Sequence, residues 1–390
     1  EPQAKVIKEA ISKYEKDTGV KVDVQFKGRT GQREGLEPAL SAKQQIDLFD
    51  EDVNRVNGSW GKYLLDLEDM AKDYESEHGN ETLFKIARNA YGQTHDGDDA
   101  LHSIPYQPSI FGFFYNKTLF TKAGIESVPT TWEELDAACA KLKEAGIQPF
   151  NYSDKDNYHF EHLMSALALK AYGTSIADDL ASDKEAYNGE KMVAIYQKMK
   201  DMIDAGYWGD GILSTDFNTE RNMFEAGKAA FTVDGTWNCG NFQNDSDTTL
   251  FDAQKIGVTR IPYIDEANKT VEMGGGSDTY YITTLNKSDE EIAATVKFIK
   301  YLTSVDSINE MCKSSPTTYA EKVTIDTGNY LLDDVNAIMA ENTESKLEIP
   351  TYDSNTAAMD TIRNSLQALA TGASAQEVGD DIVDKMSAYE

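Results

Sequence analysis

Apolar side chains recur along this chain in two rhythms. Val6, Ile7, Ala10, Ile11 and Tyr14 share one face at a 3.6-residue period, which predicts an amphipathic helix. Gly19 follows as a C-terminal stop. Val20, Val22, Val24 and Phe26 then alternate with polar residues and predict a strand. A second helix is expected from about Glu34 to Gln44. After it comes a short buried strand through Ile46, Leu48 and Phe49, ending in Asp50, Glu51 and Asp52.

The alternation continues. Thr131 and Glu134 have capping-box spacing ahead of Leu135, Ala138, Cys139 and Leu142, with Gly146 as the stop. Ser288 and Glu291 repeat the pattern before Ile292, Val296, Ile299 and Leu302. Phe224 closes a short helix, Gly227 stops it, and Ala229 to Val233 reads as a strand turning at Asp234-Gly235. The C-terminal third is expected to be mostly helical, at about 289–303, 354–370 and 375–388. Helices and strands alternating over the whole length predict an α/β protein with mainly parallel sheets. There is no internal repeat and no low-complexity linker, so two domains would have to exchange the chain more than once.

Composition narrows the function. The 390 residues suffice for two or three domains. A formal net charge of −30, spread along the chain, repels nucleic acid and anionic lipid and favours a neutral ligand. No stretch approaches the roughly 18 apolar residues of a membrane-crossing helix. The chain opens on Glu1-Pro2-Gln3 without a signal peptide, the pattern of a cytosolic protein or of a mature form whose leader has been removed. Cys139, Cys239 and Cys312 are odd in number and far apart, which suits buried apolar residues better than a disulfide framework or a zinc site.

Enzyme motifs are absent. There is no P-loop, no G-x-S-x-G elbow and no H-E-x-x-H. Gly274-Gly275-Gly276-Ser277-Asp278 lacks the lysine of a phosphate loop. His159 and His162 share a helix face at i, i+3, but the spacing matches no zinc motif. Among 67 acidic residues no pair stands out for glycoside hydrolysis. The reading is therefore no catalytic residues, no metal and no cofactor, with a glycoside-active enzyme kept as the alternative.

Several loops instead combine aromatic, carboxylate and amide groups, the mixture that suits the apolar faces and hydroxyls of a sugar. They are Asp50 to Asp52 with Asn54, Asn57 to Trp60, Asn157 to His159, Asp234 to Asn238, and Gly276 to Tyr280. The first and fourth lie just past expected strands, where ligands of open α/β sheets collect.

Four passages then carry a family resemblance. They are Ile46-Asp47-Leu48-Phe49 with Trp60 to Leu67; Ile104-Pro105-Tyr106 through Phe114-Tyr115-Asn116-Lys117 to Pro129-Thr130-Thr131-Trp132-Glu133-Glu134-Leu135; Phe224-Glu225-Ala226-Gly227-Lys228-Ala229-Ala230-Phe231 through Asp234-Gly235-Thr236-Trp237; and Gly274 to Ser277 followed by Ala293, Lys297, Phe298 and Tyr301. The sequence resembles the carbohydrate-type extracellular solute-binding proteins of ABC importers, the maltose-binding-protein-like group.

That resemblance implies a two-lobed α/β fold of the periplasmic-binding-protein type, with a ligand cleft between lobes and several interlobe crossings. One lobe would hold residues 1–110 with 262–305 and the other 111–261 with 306–390. It implies capture of an oligosaccharide by cleft closure and delivery to an ABC transporter permease. The protein would be a monomer, at a Gram-positive surface as a lipoprotein or in a periplasm. A non-sugar solute is the other alternative. Carried over by position, the expected ligand-binding residues are Trp237, Asp278, Asp50, Asp52, Trp60, Ser277, Gly276, Tyr106, Gln107, Asn157, His159 and Arg29. Trp132 belongs to a helix start and is expected to pack.

Overall fold

A computed structural model describes residues 2–53, 60–70, 84, 87–88, 100–245, 247–342, 344–353 and 357–389. These fall into two compact units, residues 1–109 with 275–328 and residues 110–274 with 329–390. The chain thus changes unit at 109/110, 274/275 and 328/329. The sequence reading set these changeovers at 110/111, 261/262 and 305/306.

In the first unit, helix Pro2–Thr18 buries Ile11 and Tyr14, the ring of Tyr14 lying 5.1 Å from Phe298 and 5.0 Å from Tyr301. Gly19 ends it at φ 75, a left-handed conformation that glycine reaches without a Cβ clash. The strand expected at Val20 to Phe26 is not formed. Val20, Val24 and Phe26 are exposed, because alternation makes a strand only when a neighbouring strand takes up its backbone groups.

The second helix runs Arg29–Ser41, earlier than expected. It packs Leu36 and Leu40 against Phe49, Leu64 and Tyr281. Strand β1 (Leu48–Asp52) pairs antiparallel with the end of β5 (Val271–Ile282), from Leu48 opposite Ile282 to Asp52 opposite Asp278. Helix Asp289–Leu302 starts at Ser288, whose hydroxyl accepts from the Glu291 amide.

In the second unit, the end of β2 (Ile104–Asn116) lies between β3 (Phe231–Gly235) and β4 (Ile256–Arg260), antiparallel to both. This corrects the expectation of mainly parallel pairing. β3 and β4, connected through helices, do run in one direction, as a helical crossover requires, but the strand between them opposes both. β6 (Glu344–Lys346) adds a parallel pairing to the start of β5. Helix Trp132–Glu144 carries both halves of the expected capping box and buries Trp132. Helix His159–Tyr172 is buried along His159 to Ala171, and its Lys170 pairs with Glu272 at 2.9 Å. The C-terminal helices are Ala358–Leu366 and Ala375–Met386.

Candidate functional site

Each unit carries a polar and aromatic cluster that includes expected residues. In the first unit, β1 presents Asp50, Glu51 and Asp52 in succession. Side chains alternate along a strand, so Asp50 and Asp52 share one face and Glu51 takes the other. Glu51 is fully buried and is held by Arg33, with Nη2 at 2.7 Å and Nε at 3.1 Å. The same guanidinium reaches Asp52 at 2.8 Å.

Asp50 accepts a 2.6 Å hydrogen bond from the Tyr106 hydroxyl, and its backbone carbonyl accepts from Gln32. Tyr106 stacks on Tyr280, centroids 4.5 Å apart and planes 13° apart. Burial, followed by the charge of Asp50, pushes the Tyr106 phenol well up, so it stays protonated and donates. Asp278 is half-buried opposite Asp52. Four expected residues, Asp50, Asp52, Tyr106 and Asp278, therefore come together on adjoining strands, with Gln107 half-buried next along β2.

Trp60 is a correction. It is buried in the core with Leu36, Leu40 and Leu64, its ring edge-on to Phe49 at 5.9 Å and 89°. A ring that completes an apolar core is not on hand for a ligand. Gly276 and Ser277 lie within β5 and Arg29 heads its helix, but the side chains of Ser277 and Arg29 are outside the described residues, as are Asn54 and Asn57 to Ser59.

In the second unit, Trp237 stands half-buried just after β3, where the sequence placed it. Its indole N–H donates to Asp234 at 3.1 Å. The ring lies over Gly235 so closely that an added Cβ there would come within 2.0 Å of it. The other oxygen of Asp234 accepts from the Gly235 amide at 2.8 Å.

His159 is the second correction. It is 1% exposed and sits between the carboxylates of Glu220, 3.3 Å away, and Asp234, 3.6 Å away. A sugar hydroxyl would have to displace one of them to reach it. Asn157 adopts φ 60 in the turn before this helix and donates to Asn364 at 3.0 Å, while its own side-chain oxygen is buried without a hydrogen-bond partner among the described residues.

One turn beyond His159, His162 meets Glu348 at 3.0 Å, and Arg363 grips Glu161 at 2.9 Å. Burial would raise the Glu348 pKa, but His162 and Arg363 outweigh it and hold it down at about 2. Glu161, His162 and Glu348 bring donor atoms within 4.8 Å of one another. Both Glu161 oxygens are already taken, one by Arg363 and one by Ser165. A guanidinium inside the group makes this an ion-pair network, and its positive charge would repel a metal.

Sequence reasoning did not reach Glu220, Glu348 or Arg363. No local motif marks them. They come to their partners from distant parts of the chain.

The comparisons agree on one kind of protein. A family model described as bacterial extracellular solute-binding protein matches residues 1–307. The galactooligosaccharide-binding protein of Bacillus subtilis is 24% identical over 316 residues, 81% of this chain and 68% of that protein. A binding protein of Brucella abortus is 26% identical over 211 residues, 52% of this chain and 47% of the relative, so the chain spans about half the length of that relative. Among solved structures, a chitin oligosaccharide binding protein superposes with TM-score 0.84 at 21% identity, covering 99% of this chain and 94% of that one. A raffinose complex of RafE gives TM-score 0.76 at 18% identity over 98% and 96%. At these identities the structures speak for the fold.

Proposed function

The chain belongs to the bacterial extracellular solute-binding proteins, and from that premise we propose that it captures an oligosaccharide and hands it to an ABC transporter permease. The observation that carries the ligand class is the trio Asp234, Gly235 and Trp237. A half-buried indole, fixed by its N–H on a buried carboxylate and seated on a glycine, is a rigid aromatic face of the kind that stacks on a pyranose ring. Asp50, Asp52 and Asp278 beside the Tyr106–Tyr280 stack supply acceptors suited to sugar hydroxyls.

The printed names of several relatives, for galactooligosaccharide, chitin oligosaccharide and raffinose, point the same way. The family resemblance adds capture by closure, a location outside the cytoplasmic membrane, and action as a monomer. Among the described residues no helix is long and apolar enough to cross a membrane. Function then depends on the permease and on ligand release rather than on bond breaking.

Fluorescence titration with oligosaccharides of about two to five units, on the wild type and on Trp237→Ala, tests the reading. A saturable spectral change that Trp237→Ala weakens supports it. Equal affinity in the two proteins removes Trp237 from the site.

A further inference from the structure

His159 lies deep in the second unit, behind the indole that the proposed function places on sugar. Its Nδ1 is 2.9 Å from the Ser153 carbonyl oxygen, which can only accept, so Nδ1 carries a proton. Nε2 has no hydrogen-bond partner among the described residues and faces Asp234 Oδ1 at 3.6 Å. A neutral ring would point a bare lone pair at a carboxylate in a buried site. It would also leave Glu220 and Asp234, 2% and 1% exposed, without a cation between them. A second proton on the ring relieves both conflicts.

The groups around His159 agree. Glu220 comes from helix Phe217–Glu225 and Asp234 from β3. Tyr152, Asp154 and Tyr158 come from the segment before the helix, while Phe111 of β2 and Phe217 are uncharged. Tyr152 and Tyr158 are pushed well up by burial and stay neutral. Asp154 is pushed up to about 6 by burial, against hydrogen bonds from the Phe160 amide and Gln367. His162 is turned to Glu348. For His159 itself burial pulls downward, and Glu220 and Asp234 together outweigh it.

We propose that His159 is a positioning residue: a buried imidazolium whose charge fixes Asp234, so that Asp234 can hold the Trp237 indole where sugar stacks. It does not touch the ligand. This rests on the reading of Trp237 given above, and it adds that affinity follows the charge of a residue behind the binding face. Losing the proton would free Asp234 to turn from the ring, and the indole would lose its anchor.

The test is an NMR titration of the imidazoles in the intact protein, run beside oligosaccharide affinity across pH. His159 is expected to remain an imidazolium at about pH 8, with affinity level up to that point. Further alkalinisation should lower affinity about twofold at the His159 midpoint and roughly tenfold about one pH unit above it. Glu220→Gln removes one carboxylate and should move both midpoints to lower pH together, by about one unit. A merely structural histidine would not tie the two midpoints. A neutral His159 at about pH 7 with full affinity, or an affinity midpoint that stays put while the His159 midpoint moves, overturns the proposal. If Glu220→Gln does not fold, coincidence of the two midpoints in the wild type decides. Equal affinity of Trp237→Ala and wild type would instead overturn the placement of sugar on Trp237, so the two failures are distinguishable.

Discussion

Replacing Gly235 by alanine should disable the binding face without replacing any residue that meets ligand. A methyl at this position would stand 2.0 Å from Cζ3, 2.2 Å from Cη2 and 2.4 Å from Cε3 of Trp237. Carbon atoms rest at about 3.5–4.0 Å, so the ring must move by more than about 1 Å. The backbone has no objection, since Gly235 lies in β3 opposite Phe111 and outside the left-handed region. The strand should therefore survive while the indole swings off its 3.1 Å bond to Asp234. A hydrogen bond to a charged group contributes about 1.5–3 kcal/mol, and an aromatic anchor in a binding site about 1–3 kcal/mol. Sugar affinity should fall about five- to 150-fold. Calorimetry would measure this, with circular dichroism confirming the fold. Because both changes act through one ring, Gly235→Ala should add nothing to Trp237→Ala. Wild-type affinity in Gly235→Ala, or full additivity in the double variant, would refute the reasoning.

Arg363→Met strands the buried Glu161 carboxylate and should cost about 3–5 kcal/mol in urea melts; a loss below about 1 kcal/mol would show that the pair contributes little. Trp132→Ala empties a buried site at a helix start and should cost about 3–5 kcal/mol while sugar affinity stays level, checked by melting and titration together. Glu225 is pushed up to about 8 by burial and then by Asp245, above an ordinary value of 4.5. The folded state thus holds that proton more tightly, and the stability this gives is full below the ordinary value and is lost as pH rises through the folded one. Glu225→Gln should therefore melt progressively higher than the wild type as pH rises, by on the order of 2 kcal/mol at about pH 8. An equal difference at acid and alkaline pH would contradict the assignment.

The sequence was readable where the signal is local. Thr131 and Glu134 announced a helix start that the structure builds in full, because a capping box needs only neighbours. Trp237 follows β3 as expected, whereas Asp50, expected just past a strand, lies inside β1. Long-range pairing was harder to read. Val20 to Phe26 has the alternation of a strand but no strand beside it among the described residues. β2 opposes both of its neighbours although helices separate strands in the chain. Trp60 and His159 have the composition of a sugar loop, yet Phe49 and Leu36 enclose one, and Glu220 and Asp234 the other. Residue type cannot tell a ring that faces ligand from one that faces core. Only the partners brought by the fold separate them.

The most direct measurement is a calorimetric titration of the protein with a panel of neutral oligosaccharides, with the recovered sugar analysed afterwards. Saturable one-to-one binding of at least one member is expected, at micromolar strength of about −8 kcal/mol, with the sugar returned unaltered. No binding across the panel, or sugar returned in shorter pieces, would contradict it.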